Sequence, residues 1–229
     1  MKVTSLEPDS VASPASGGRR IAVIGANGHT GRIVVEHALV AGHEVIAVAR
    51  RHEPSETEAD NLIKARADVR DPDALTRALH GADAVVSALG IGTSRAPTDV
   101  YSTGMRNTLS AMRSNGAATL TVISAVPAAP WADQPAVQRR IALPILQRIF
   151  GATYDDMRRM EAILLETTDI DWIALRPPRL LDKPPKGSYR IDTQPLSKAR
   201  AITYGDLAAA LLESLSRPDL YRHAAYVAN

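Results

Sequence analysis

The sequence contains no cysteine, which excludes disulfides, thiol nucleophiles and cysteine-ligated metals and is compatible with a reducing compartment. It lacks any apolar run approaching the roughly 18 to 20 residues a membrane helix needs. The N-terminal stretch MKVTSLEPDSVASPASGG has no apolar signal core, so residues 1–18 read as a disordered leader and the expected location is cytoplasmic. A strong charge imbalance is also missing: 27 basic residues are scattered among 25 acidic ones, for a formal net charge of +2. Neither nucleic acid nor a membrane is therefore an expected partner. The six histidines, His29, His37, His43, His52, His80 and His223, show no paired ligand spacing, and no metal site is expected.

What remains is a chain of 229 residues, 45% of them hydrophobic, enough for one well-buried core. After the leader, apolar β-rich runs (RIAVIG, HEVIAVAR, LIKARADV, DAVVSAL, ATLTVISAV) alternate with helix-like segments at Thr30 to Ala41, Pro72 to Leu79 and Thr98 to Asn115. Runs apolar on both faces, separated by helices, predict a parallel sheet covered on each side, a Rossmann-type doubly wound α/β fold in a single domain over 19–229. Asp71 followed by Pro72 predicts a capped helix start, and Gly42 a helix stop. The rhythm breaks at about 127–151, rich in Pro and Ala, with Trp131 and the basic amphipathic piece RRIALPILQRIF; this segment reads as a substrate loop or lid. A helix from about Tyr154 to Thr167, a strand DWIALRP, a Pro-rich stretch to Pro185, a strand GSYRI, a helix from Tyr204 to Ser216 and a last strand AAYVAN complete the chain.

At the end of the first run stands IAVIGANGHTGR, with Gly25, Gly28 and Gly31 three residues apart. In a strand-to-helix turn the first glycine permits the tight bend, the second lets a pyrophosphate approach the backbone, and the third lets the helix pack closely on the sheet. Free N–H groups and the positive dipole end then face the phosphates. Asn27, His29 and Thr30 line the same turn. The second strand ends in Arg50 and Arg51 where an NAD enzyme carries an acid, and two guanidiniums suit a 2′-phosphate, which favours NADP. NAD or dual use stays open through Glu53 and Glu56, as does a merely solvated turn. Asp68 and Val69 after the third strand are placed at the adenine. The SALGIG stretch, including Ala88, Leu89 and Gly90, is placed beside the nicotinamide ribose.

The segments GANGHTG, ADVRDPDAL, GADAVVSALG, ISAV, YDDMRRMEAILLETTDIDWIALRPPRLLDKPPKGSY and ITYGDLAAALLES resemble the NAD(P)H-binding branch of the atypical short-chain dehydrogenase/reductase superfamily, its flavin reductases above all. The resemblance implies hydride transfer from NADPH to a planar conjugated acceptor such as a flavin, a linear tetrapyrrole or a quinone-like molecule, with flavin a substrate and not a bound cofactor. It places Ser124 against nicotinamide and acceptor, and Pro177 and Pro178 near the nicotinamide. A monomer is implied, with a dimer possible.

Departures from the pattern bear on the chemistry. Short-chain dehydrogenases use Tyr-x-x-x-Lys, the lysine lowering the tyrosine pKa for proton transfer. Here Tyr154 is followed by Arg158, and no lysine lies between Lys64 and Lys183. Tyr154 and Arg158 remain candidates for the chemistry beside Ser124. Met157 and Arg179 stand where the flavin reductases carry histidines near the acceptor, and Trp131 is a candidate to stack on it. Two other functions stay open: a non-catalytic NADP-binding redox sensor, favoured by loss of the Tyr-Lys pair, and a biosynthetic ketoreductase or epimerase working through Tyr154 and Arg158.

Overall fold

The computed structural model describes residues 18–51, 58–90, 96, 98–130 and 143–229. The leader up to residue 17, Trp131 and the remainder of 131–142 lie outside the described residues. The chain runs β1 (Arg20–Ile24), α1 (His29–Val40), β2 (Glu44–Ala49), β3 (Leu62–Arg66), α2 (Pro72–Ala78), β4 (Ala84–Ser87), α3 (Val100–Asn115) and β5 (Thr119–Ile123). It continues through α4 (Leu143–Leu165), β6 (Asp171–Arg176), β7 (Arg179–Leu181), β8 (Arg190–Asp192), β9 (Ala201–Thr203), α5 (Tyr204–Ser214) and β10 (His223–Ala228).

Eight strands form one sheet in the order β3-β2-β1-β4-β5-β6-β10-β8. All neighbours are parallel except β8, which runs antiparallel to β10 from the pairing Tyr226↔Asp192 to Ala228↔Arg190. The alternation of side chains along each strand feeds two cores. Ile21, Val23, Val45 and Val86 pack under α1 and α5, while Ala22, Ile24, Val85, Leu120 and Val122 face α2, α3 and α4. Trp172, fully buried in the second core, donates its indole N–H to the Thr167 carbonyl at 3.1 Å. The doubly wound fold expected from the alternating pattern is the fold observed.

The start of α2 follows its sequence: Asp71 accepts from the Ala74 N–H at 2.9 Å, with Pro72 in the first turn. Two stretches differ from expectation. The helix expected from Tyr154 begins at Leu143, inside the segment read as a loop, and is interrupted by non-helical angles at Phe150 (φ −125°, ψ 19°). Pro144 is no obstacle, because the second residue of a helix has no intrahelical partner for an N–H. The Pro-rich stretch after β6 also contains β7, which pairs in parallel with β9 in a separate two-stranded sheet. Among the described residues no helix is long and apolar enough to cross a membrane.

Candidate functional site

The strand order reverses between β1 and β4, so the loops leaving their carboxyl ends diverge and open a crevice. Gly25 opens the first loop at φ +80°, and a Cβ there would lie 2.8 Å from the Ala88 carbonyl oxygen. A Cβ on Gly31 would lie 2.1 Å from the Gly25 carbonyl oxygen, so the first turn of α1 rests directly on the bend. Gly28 differs from both. Its backbone is extended (φ −72°, ψ 163°), and a Cβ would meet nothing closer than the Gly25 oxygen at 3.3 Å.

Gly28 caps α1 with no side-chain hydrogen bond, and the first turn carries no acid. The N–H groups at the head of α1 and its positive dipole end therefore meet an approach left open by the missing Cβ of Gly28. This is the arrangement that fits the diphosphate of a dinucleotide. Exposed Asn27 donates to the Arg51 carbonyl at 2.6 Å, and Arg66 donates from Nε to the Arg50 carbonyl at 3.1 Å. The ends of β1, β2 and β3 are thus tied together, with Arg50, Arg51 and Arg66 exposed at one edge of the crevice. Thr30 is buried behind the turn, and His29 stacks on Tyr204 at 5.3 Å between ring centroids, 19° from coplanar.

The other expected cofactor positions line the same mouth. Asp68 accepts from the Arg70 N–H at 2.9 Å and so closes its own turn. Val69 is buried, its carbonyl held by Asn107 at 2.8 Å, and packs close to Gly104 beside Leu89. Ala88 extends the β1–β4 ladder by donating to the Ile24 carbonyl at 2.9 Å, and Gly90 is exposed. Beyond β5 and β6 the ladder continues as Ser124 N–H to Leu175 at 2.8 Å and Val126 N–H to Pro177 at 3.0 Å, which sets Ser124 opposite Arg176, one residue ahead of Pro177 and two ahead of half-buried Pro178.

Ser124 is 2% exposed and donates to Glu161 Oε1 at 2.6 Å. Glu161 in turn is gripped by Arg176, Nε to Oε1 at 3.0 Å and Nη2 to Oε2 at 2.6 Å. Arg176 also reaches the Tyr226 hydroxyl at 3.5 Å and lies 5.4 Å over that ring. Burial works against the charge of Arg176, but the hydrogen bonds and the charge of Glu161 outweigh it and move its pKa up. Neither Glu161 nor Arg176 was singled out from the sequence. Two signals were present: an arginine at the end of the apolar strand WIALR, and a glutamate within the apolar helix positions of Met157, Met160 and Leu164.

The remaining expected residues lie on α4 and at the start of β7. Tyr154 is half-buried, edge-on to Phe150 at 6.4 Å, and burial pushes its phenol pKa up. Arg158 pairs with Asp155 and donates to the Pro127 carbonyl at 3.2 Å. Met157 is buried in the core shared by α3 and α4, and Arg179 is exposed at the start of β7. Asp156, fully buried, accepts from the Tyr101 N–H at 2.8 Å and from the Ser102 hydroxyl, so α4 caps the start of α3. Among the described residues no group of three or more His, Asp or Glu could hold a metal ion.

A family described as NAD(P)H-binding matches residues 25–218 of the chain. Divinyl chlorophyllide a 8-vinyl-reductase from the chloroplast of Oryza sativa subsp. indica is 37% identical over 146 residues, covering 54% of this chain and 36% of the relative. L-arabinose 1-dehydrogenase (NAD(P)(+)) of Haloferax volcanii is 46% identical over 67 residues, 29% of this chain and 24% of the relative. Uncharacterised mycobacterial proteins match at 33% over 124 residues, only 13% of their length. The chain thus spans a minor part of these relatives.

Among solved structures, a short-chain dehydrogenase/reductase of Veillonella parvula in complex with NADP superposes with a TM-score of 0.75 at 14% identity, over 92% of this chain and 94% of that one. An oxidoreductase of Lactococcus lactis gives 0.76 at 19% identity, over 92% and 90%. A Streptococcus pneumoniae chain provisionally named an NADH-flavin reductase gives 0.71 at 19%, over 93% and 100%. At these identities the likenesses show the fold.

Proposed function

The chain belongs to the NAD(P)H-binding family, and from that premise we propose that it is a reductase passing hydride from NADPH to a planar conjugated acceptor: a flavin, a linear tetrapyrrole or a quinone-like molecule. The observation that carries the proposal is the dinucleotide cradle; the missing acid–base pair speaks against a ketoreductase and leaves the redox sensor to the experiment. The open head of α1 and the exposed Arg50, Arg51 and Arg66 beside it suit the diphosphate and a 2′-phosphate. No lysine accompanies Tyr154, and burial raises the pKa of its phenol where alcohol chemistry needs it lowered.

NADPH, when bound, supplies the hydride. The chain's part is to fix the dinucleotide through the β1 turn, to hold the ends of β5 and β6 rigid beside Ser124 and Pro177, and to bring the reacting planes together, a proximity effect. An electron-poor ring system accepts hydride without a protein acid, and water provides the proton. The named relatives give the reading support: the rice protein is named a divinyl chlorophyllide a 8-vinyl-reductase, and the pneumococcal chain carries an NADH-flavin reductase name.

The test is anaerobic steady-state oxidation of NADPH and NADH with riboflavin, FMN, biliverdin and quinones, against enzyme-free controls. Turnover with a planar acceptor, faster with NADPH and retained in Tyr154→Phe, is the expected result. Tight NADPH binding without turnover would overturn the reductase in favour of a redox sensor. Loss of turnover in Tyr154→Phe would favour a ketoreductase.

A further inference from the structure

The quartet Ser124, Glu161, Arg176 and Tyr226 is buried, and its hydrogen-bond directions are forced by chemistry. A carboxylate gripped at both oxygens by a guanidinium can only accept. The 2.6 Å contact between Ser124 and Glu161 is therefore made by the serine's hydrogen. The Ser124 backbone N–H is also taken, by the Leu175 carbonyl at 2.8 Å. Both donor groups of Ser124 are committed, and its Oγ keeps only lone pairs for anything arriving at the end of β5.

We infer that Glu161 is a specificity-determining positioning residue: with Arg176 it turns Ser124 into an acceptor-only contact, so the planar group that reaches this serine must present an N–H. The inference rests on the proposed reductase reading and narrows it. An isoalloxazine carries an imide N–H at N3 and a linear tetrapyrrole a lactam N–H, whereas a simple quinone presents only carbonyl oxygens, which face lone pairs across the contact. The same chemistry is offered by the carboxamide of the nicotinamide itself. Glu161 acts through Ser124 and touches neither ligand.

Binding, which needs no turnover, tests the inference. Dissociation constants are measured by calorimetry for two matched pairs: riboflavin against 3-methylriboflavin on the NADP⁺-loaded protein, and NADP⁺ against its 3-acetylpyridine analogue, which lacks the carboxamide N–H. The expected result is a penalty of about tenfold or more for the N–H-free member of one pair. The pair that shows it tells whether acceptor or cofactor supplies the donor. In Glu161→Leu the ratio collapses toward one, because no carboxylate remains to take the serine's hydrogen, which is then free to turn to the ligand.

A role confined to holding the fold would weaken both members of a pair equally and leave the ratio unchanged. Ser124→Ala, which leaves the Glu161–Arg176 pair intact, must collapse the same ratio and serves if Glu161→Leu does not fold. No penalty in either pair, or a penalty that persists in the variants, overturns the inference. If NADP⁺ binds and no planar acceptor does, the reductase reading falls, while the dinucleotide pair still decides the role of Glu161.

Discussion

Two glycines three residues apart in the β1 turn differ in what they do, and alanine at each separates folding from binding. At Gly31 a Cβ would sit 2.1 Å from the Gly25 carbonyl oxygen, and that oxygen is itself held by the Gly28 N–H at 2.9 Å. The bend must open by about an ångström to admit a methyl group, which overpacking data place toward the upper end of about 1–3 kcal/mol. Alanine recovers up to about 1 kcal/mol through helix propensity. The expected net loss is about 2 kcal/mol, or a Tm lower by roughly 4–8 °C for a domain of this size. At Gly28 the backbone is already in a region any residue adopts, and the nearest atom is 3.3 Å away. Gly28→Ala is expected to lose much less Tm than Gly31→Ala, because the Gly25 oxygen need give only a few tenths of an ångström and the unfolded chain returns about 0.4–1 kcal/mol.

A methyl at Gly28 would stand at the head of α1, where the diphosphate is proposed to bind. Losing one hydrogen bond to a charged group there costs about 1.5–3 kcal/mol, a rise in NADPH Kd of roughly 10- to 150-fold. Thermal unfolding followed by circular dichroism and titration of NADPH fluorescence read the two effects independently. Equal losses of Tm in both variants, or undiminished NADPH affinity in Gly28→Ala, would refute the reasoning.

Replacing Arg50 and Arg51 together by alanine is expected to raise the Kd for NADPH roughly 10- to 100-fold while leaving NADH unchanged, with the difference shrinking at high salt; paired titrations at two ionic strengths check it. Asp156→Ala strips the cap from α3 and leaves buried donors at Tyr101 and Ser102 unsatisfied, for about 2–4 kcal/mol and a Tm lower by roughly 4–16 °C. Hydrogen bonding to Arg113 holds the Asp169 carboxyl down at about 2. Because the folded value lies below the unfolded one, this pair adds stability above about pH 4 that is lost as pH falls toward 2. In Arg113→Gln the Tm deficit relative to the parent should be constant at neutral pH and vanish in that acid window, which a pH series of melts reads directly.

The parts of this molecule that were legible in its sequence are those set by local backbone demands. A bend with φ +80° followed by a helix lying against it calls for glycine at fixed spacing, and GANGHTG displays that demand within a few residues. The same holds for Asp71 and Pro72 at the head of α2, and for β strands buried on both faces. The less legible features depend on partners distant in the chain. Ser124 and Glu161 are separated by 37 positions, and Glu161 and Arg176 by 15, and they meet only because α4 lies across the ends of β5 and β6. Periodicity marks Glu161 as misplaced among apolar neighbours without naming its partner. The early start of α4 was hidden by Pro144, which stops a helix in its interior and is tolerated in its first turn. The β7–β9 pair was hidden because strands of three residues carry too little pattern.

The break at Phe150 divides α4 in two. The stretch after it carries Asp156 and Glu161, each fastened to a different neighbour, and the buried Met157, Met160 and Leu164. The helix therefore works like a keyed shaft, with one flat cut for the head of α3 and another for the end of β5. For redesign, that makes 153–164 a block whose sequence can change only together with the elements it grips.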